Sequence, residues 1–153
     1  MNLEQGHFDQ LRLLFFVGVF VLMALLECVV PKRKLTVPKT RRWSSNMLLT
    51  FLSTMTAKYL LPFTSVSAAI FAEKQDLGLF HLLEINNVIC AAICLLVFDL
   101  VIYWQHRFFH AVPILWRVHK VHHTDKDYDV TTGSRFHPVE ITLSMIIKVF
   151  VIL

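Results

Sequence analysis

The sequence contains few charged residues and few glycines. Only 17% of its 153 residues are charged, whereas 56% are hydrophobic, and glycine occurs 4 times. Soluble globular domains carry about 25% charged residues, so this shortage argues against a soluble domain and indicates a membrane protein. No glycine-rich phosphate loop, RNA-binding motif or internal repeat is found in the sequence.

Cysteine is also scarce, and its spacing excludes two kinds of site. Cys28, Cys90 and Cys94 all lie in apolar stretches, and no two of them form a C-x-x-C pair. The sequence therefore predicts neither a disulfide framework nor a zinc ribbon. Because Cys90 and Cys94 would share a helix face, we interpret them as small apolar packing residues.

Four apolar stretches predict an all-α, integral membrane helical bundle. They cover residues 13–30, 47–71 (interrupted by Lys58 and Pro62), about 82–104, and 141–153. The first has about the 20 residues that a membrane span needs. The acidic residues before it, and the lack of a cleavage site after it, favour a transmembrane helix over a signal peptide. The fourth is too short to span alone, so we predict about three transmembrane helices plus a partial fourth.

The charges between these stretches predict an orientation in the membrane. Residues 32–42 carry basic side chains and no acid, residues 73–84 are mainly acidic, and the chain after residue 104 is basic again. The positive-inside rule then places the first loop and the histidine-rich region in the cytoplasm, in a bacterial inner membrane or the endoplasmic reticulum. The basic run would meet anionic lipid headgroups, which explains the net charge of +4 without a nucleic-acid partner.

Five histidines after the third stretch have the spacing of metal ligands. They form two sets, His106 with His110 and His119 with His122 and His123. Within each set the spacing of three or four residues places the side chains on one helix face. Pro113 separates the sets, because proline ends the preceding helix. Ligation by histidine alone suits iron, copper, nickel or zinc, and two facing sets suggest two metals.

Three further residues are candidate parts of this site. Asp99 and Tyr103 would lie on the same helix face as His106, and Asp99 would hold an imidazole in one tautomer or else face a polar gap or bond to Tyr103. His137 is either a sixth ligand or a polar anchor for a new helix. Pro138 suits the first turn of that helix, with Glu140 near its positive N-terminal end.

The segment 99–140 resembles the fatty acid hydroxylase and sterol desaturase superfamily of membrane-bound non-haem di-iron enzymes. It has that family's first box, H-x-x-x-H, at His106 and His110, and its second, H-x-x-H-H, from His119 to His123. The sequence R-F-H-P-x-E around His137 also resembles the family. Hydropathy predicts an N-terminal transmembrane region in residues 1–98, and the resemblance implies a partial fatty acid hydroxylase-like domain in residues 99–153.

The resemblance further implies a di-iron centre that uses O2 to hydroxylate or desaturate a sterol or fatty acyl lipid. Electrons would come from a carrier such as cytochrome b5 or a ferredoxin, with its reductase. The family has a third box, H-x-x-H-H, further downstream, and this sequence stops at Leu153 without one. We therefore expect a C-terminally truncated member with little activity by itself, or one completed by an oligomer or a partner chain. The alternative is a catalytically inactive paralogue that serves as a structural or interaction subunit.

Overall fold

The computed structural model describes residues 3–32, 34–61, 63–81 and 85–153, and every regular element in those ranges is helical. The helices are α1 (Leu3–Val29), α2 (Lys39–Leu60), α3 (Ser65–Lys74), α4 (Asn87–Ala111), α5 (Pro113–His123) and α6 (Pro138–Ile152). Two short 3-10 helices lie between these elements: Leu79–His81 between α3 and α4, and Thr132–Ser134 between α5 and α6. The all-α prediction is therefore confirmed, while Pro62 and the start of the third stretch at Leu82 lie outside the described residues.

Two of these helices are long and apolar enough to cross a membrane. They are α1, over Gln10–Val29, and α4, over Asn87–Ala111. Almost none of either stretch is buried within the protein, so their apolar side chains face outward. These helices correspond to the first and third predicted spans. The total of about three spans plus a partial fourth stays a prediction.

The second apolar stretch forms parts of two helices. α2 begins at Lys39, well before that stretch, and ends at Leu60. α3 starts independently with a capping box, in which the Thr64 side chain accepts from the Ser67 backbone N–H at 3.1 Å. In return the Ser67 hydroxyl accepts from the Thr64 backbone N–H at 2.8 Å. These bonds satisfy donors that a helix start leaves free, which favours a new helix at this point.

The described helices group into two compact units, one of residues 1–47 and 125–135, the other of residues 48–124 and 136–153. In the first unit, a buried arginine binds the loop 125–135. Arg42 donates from Nε to Asp125 at 2.7 Å and from Nη1 to Asp129 at 2.8 Å. The charge pattern had assigned Arg42 to a lipid-facing basic run, but its side chain is only 5% exposed. Burial with two carboxylates corrects that prediction for this residue.

Neighbouring groups complete the polar network around this loop. The Trp43 indole donates to Asp129 at 3.0 Å, and the Asn46 amide donates to Thr131 at 2.9 Å. Asp127 accepts from the backbone N–H groups of Thr36 and Val37 at 2.7 and 2.8 Å. Because buried polar groups are destabilising unless they are paired, these contacts specify one conformation of the loop.

Acidification should weaken this network through Asp129. Burial alone would raise the pKa of Asp129, but hydrogen bonds from Thr131 and Trp43 and the charge of Arg42 outweigh burial and hold the pKa below 3.8. Because the folded pKa lies below the unfolded one, this contribution to stability is complete above about pH 4 and is lost as the pH falls through the lowered pKa. We expect the free energy of unfolding to decrease as the pH falls below about 4, measured by thermal unfolding in detergent. The Asp129→Asn variant should lose less over the same interval, and an equal loss in both proteins would contradict the prediction.

In the second unit, α4, α5 and α6 pack against one another, and α3 packs against α6. α4 ends at Ala111 and α5 begins at Pro113, with Val112 between them in extended conformation (φ −94°, ψ 118°). Proline disfavours helical geometry in the residue before it, so Val112 forms the corner. The predicted helix break at Pro113 is confirmed, and it turns α5 back towards the C-terminal end of α4.

Candidate metal centre

Four histidines of the second unit bring their Nε2 atoms together. His106 and His110 lie one turn apart on α4, and His119 and His123 lie one turn apart on α5. Successive Nε2 atoms are 3.2 Å apart from His106 to His110, 3.3 Å from His110 to His119, and 3.1 Å from His119 to His123. The helix corner at Pro113 makes this possible, because it brings the two histidine faces together.

These separations fit nitrogens that share a metal ion. Two nitrogens bound to one metal at roughly 2.1 Å lie about 3.0 Å apart in an octahedral site and about 3.4 Å apart in a tetrahedral one. The observed Nε2 distances of 3.1–3.3 Å fall between those values. Among the described residues, His106, His110 and His119 are the group whose ligand atoms are placed to hold a metal.

The Glu140 carboxyl group contacts the second ring nitrogen of His119. Its Oε1 lies 2.7 Å from His119 Nδ1, and the two side chains are 6% and 1% exposed. A carboxylate oxygen accepts, so Nδ1 is the donor and the Nε2 of a neutral His119 keeps its lone pair. That lone pair points to the Nε2 atoms of His110 and His123.

Hydrogen bonds among the imidazoles do not fully explain this arrangement. Each neutral imidazole has one N–H and one lone pair, so an Nε2 atom either donates or accepts. If hydrogen bonds alone held the cluster, the Nε2 of His119 would have to accept from both His110 and His123. The single proton on His110 Nε2 would then also have to be shared with His106. A cation that accepts several lone pairs satisfies the cluster more simply, so the donor set fits a metal.

Burial favours the neutral imidazoles that metal binding requires. The pKa of His119 is lowered by burial and further by the neighbouring imidazoles of His110 and His122. His123 is exposed on one side, but partial desolvation of its ring and the neighbouring imidazoles, His119 first among them, also lower its pKa. Burial acts in the opposite sense on Glu140 and raises the pKa of its carboxyl group. At neutral pH, both histidines can therefore offer a lone pair without first losing a proton.

Two of the six predicted ligands have other contacts. The His122 ring stacks on Phe136, with centroids 4.8 Å apart and planes 4° apart, and its centroid is 6.1 Å from that of His119. His137 is the N-cap of α6, and its Nδ1 accepts from the Val139 backbone N–H at 3.2 Å. His137 thus serves as the predicted polar anchor of the helix. A ligand role for His122 and His137 stays a prediction.

The two residues predicted to lie behind the first box are both exposed. Tyr103 contacts the ring of Trp104 edge-on at 5.8 Å, and Asp99 makes no hydrogen bond to any residue in the described ranges. The carboxylate that binds an imidazole is instead Glu140, 21 residues from its partner. Glu140 is the glutamate of the sequence R-F-H-P-x-E. The sequence analysis inferred only that it lies near the start of a helix, and not that it binds a histidine.

Aromatic side chains that the sequence analysis did not assign to the site surround the cluster. Phe109, 3% exposed, lies with its ring centroid 5.6 Å from that of His119. Trp116 lies 5.2 Å from His110 and 5.6 Å from His123, again between ring centroids. Phe109 is at i+3 from His106, and Trp116 at i−3 from His119, so helical spacing would have placed both near the histidines.

Comparison with known proteins identifies the segment that carries this cluster. Residues 91–153 match the family model described as fatty acid hydroxylase. This segment, less than half of the chain, is similar to the fatty acid hydroxylases. The predicted resemblance to the fatty acid hydroxylase and sterol desaturase superfamily is therefore confirmed. Together with the apolar helices α1 and α4, the match indicates an integral membrane protein.

Three curated relatives are similar to short parts of the chain, and all are alkylglycerol monooxygenases. The Xenopus tropicalis protein is 48% identical over 22% of this chain, the Danio rerio protein 38% over 37%, and the Homo sapiens protein 41% over 29%. These matches span only 7%, 13% and 10% of the relatives' own lengths. No solved structure matches the chain.

Proposed function

We propose that this protein is a lipid hydroxylase-type oxidoreductase whose histidine boxes bind iron. The observation that carries the proposal is the run of Nε2 atoms at 3.1–3.3 Å from His106 to His123. The fatty acid hydroxylase match over residues 91–153 supports iron among the metals that histidines bind. In the di-iron arrangement that the resemblance implies, His122 and His137 would join the four clustered histidines as ligands.

Iron bound by these imidazoles would supply O2-dependent oxidation of an unactivated C–H bond, for which side chains alone have no chemistry. The protein's own residues prepare the site. Glu140 orients His119, and burial keeps His119 neutral. Phe109 excludes water beside the His119 ring. His106 and His110 are exposed, which leaves a side from which a lipid can approach.

The substrate and the redox partners are part of the proposal. Because the matched relatives are named alkylglycerol monooxygenases, alkylglycerols are the first lipids to test, before sterols and fatty acyl chains. The basic residues after α4 support a cytoplasmic position for the histidine boxes, where cytochrome b5 or a ferredoxin with its reductase can deliver electrons. The membrane would be the bacterial inner membrane or the endoplasmic reticulum.

Iron content tests the proposal directly. The full chain, purified in detergent and incubated anaerobically with ferrous iron, should retain about two iron atoms per chain after desalting, measured by mass spectrometry of the metal. His110→Ala should lower this number strongly, because His110 Nε2 lies between the Nε2 atoms of His106 and His119.

Lys120→Ala is the matched control for this measurement. Lys120 is exposed on α5 beside His119, so its removal changes the charge and surface without removing a ligand, and iron content should not change. No iron above background in the unsubstituted protein would reject the function. About one iron per chain would reject the di-iron arrangement alone.

A further inference from the structure

We infer that Glu140 is a positioning residue of the metal centre, which holds His119 in the Nδ1–H tautomer and directs its Nε2 towards the other histidines. The part of this inference that concerns metal binding rests on the proposed function. The part that concerns the tautomer rests on the Glu140–His119 contact alone and applies to the metal-free protein.

The Glu140–His119 bond is short and shielded from water. Oε1 and Nδ1 are 2.7 Å apart, and both residues are buried. A hydrogen bond to a carboxylate is stronger than one between neutral groups, and burial removes water as a competing partner. Oε2 of Glu140 is buried and accepts no hydrogen bond from any residue that the structure describes. His119 is the side chain that donates to this carboxylate, and the backbone N–H of His137 at the start of α6 also interacts with it.

The start of α6 holds the carboxylate rigidly. His137 is the N-cap, Pro138 occupies the first helical position, and Glu140 follows in the first turn. Proline restricts φ to about −65°, which stabilises the helical backbone at this position. A carboxylate in the first turn also interacts favourably with the positive end of the helix dipole. Glu140 is thus oriented by α6 before it contacts the histidine on α5.

The same bond determines the direction of the Nε2 lone pair. With the proton on Nδ1, the His119 lone pair points to Nε2 atoms at 3.3 Å on His110 and 3.1 Å on His123. Without the carboxylate, the proton is free to move to Nε2, where it would occupy the position of the metal. Partners that fix the tautomer of a ligating histidine typically change metal affinity by about 10–100-fold.

The tautomer is measurable in the metal-free protein. In the full chain labelled with nitrogen-15 histidine, NMR distinguishes Nδ1–H from Nε2–H, and loss of one signal set in His119→Gln assigns His119. We expect Nδ1–H in the unsubstituted protein and a shift towards Nε2–H in Glu140→Ala. Glu140→Gln should keep much of the Nδ1–H signature, because its amide oxygen still accepts. If the alanine variant fails to fold, Glu140→Met, which fills similar space but offers no carboxylate or amide acceptor, replaces it and should show the same shift towards Nε2–H.

Metal affinity provides the second readout, with cobalt(II) as the probe because its absorption reports ligation. Glu140→Ala should weaken cobalt(II) binding about 10–100-fold, and Glu140→Gln should weaken it less. Glu73→Ala, which removes an exposed glutamate from α3, is the matched control and should leave the affinity and the tautomer unchanged.

The outcomes separate this inference from the proposed function. An Nε2–H His119 in the unsubstituted protein, or a tautomer unchanged when Glu140 is replaced by a residue without an acceptor, would overturn the positioning role. Unchanged cobalt(II) affinity in Glu140→Ala would overturn it as well. If the tautomer follows Glu140 but the unsubstituted protein binds neither cobalt(II) nor iron, the tautomer control stands and the proposed function fails.

Discussion

Replacing His119 with leucine should abolish metal binding and destabilise the second unit at the same time. The Nε2 of His119 is 3.3 Å from that of His110 and 3.1 Å from that of His123, so its loss divides the ligand set. The substitution also removes the His119 N–H from which the buried Glu140 carboxylate accepts a hydrogen bond. Loss of one partner from a buried, charge-assisted pair typically destabilises by about 3 kcal/mol. Iron content and thermal unfolding of the same preparation measure the two effects.

The double variant His119→Leu with Glu140→Leu distinguishes these effects. Replacement of both polar partners by apolar groups of similar size leaves no buried carboxylate without a donor and is often nearly neutral for stability. We expect the double variant to regain most of the lost stability while iron content stays at background. A double variant no more stable than the single one would show that the carboxylate is not the cause. Iron retained by His119→Leu would show that His119 is not a ligand.

Replacing Arg42 with methionine should cause the largest loss of stability in the first unit. The guanidinium donates to Asp125 at 2.7 and 2.8 Å and to Asp129 at 2.8 Å. Methionine fills similar space but leaves two carboxylates without their cation. Removal of one partner from a buried ion pair destabilises by roughly 3–5 kcal/mol. Thermal unfolding and proteolysis within loop 125–135 would detect this loss.

Two substitutions serve as controls for Arg42→Met. Arg41→Met removes an exposed guanidinium one residue away and should change stability little. Arg42→Lys keeps the charge, but one ammonium group cannot reproduce the forked contacts to Asp125 and Asp129, so its stability should be intermediate. Equal stability of the Arg42→Met and Arg41→Met proteins would contradict the structural role of the buried arginine.

The positions of the helices and of the histidine boxes could be predicted because they depend on neighbours along the chain. Pro113 lacks a donor and restricts the residue before it, so the α4–α5 corner is encoded locally. Histidines spaced three or four residues apart share a helix face, and this too depends only on their separation along the chain. The interruption of the second apolar stretch was also predicted. The early start of α2 was not, because Lys39 and its polar neighbours carry no apolar signal.

The sequence by itself determined that α1 and α4 are long apolar helices, and that histidines at ligand spacing flank a proline. Only the tertiary structure decided which carboxylate binds His119. Spacing along α4 made Asp99 one candidate, but the structure brings in Glu140 from α6, 21 residues from His119. It likewise paired Arg42 with Asp125 and Asp129 across 83 and 87 residues. Such partners depend on how separate elements pack, and helical periodicity describes only the face of a single element.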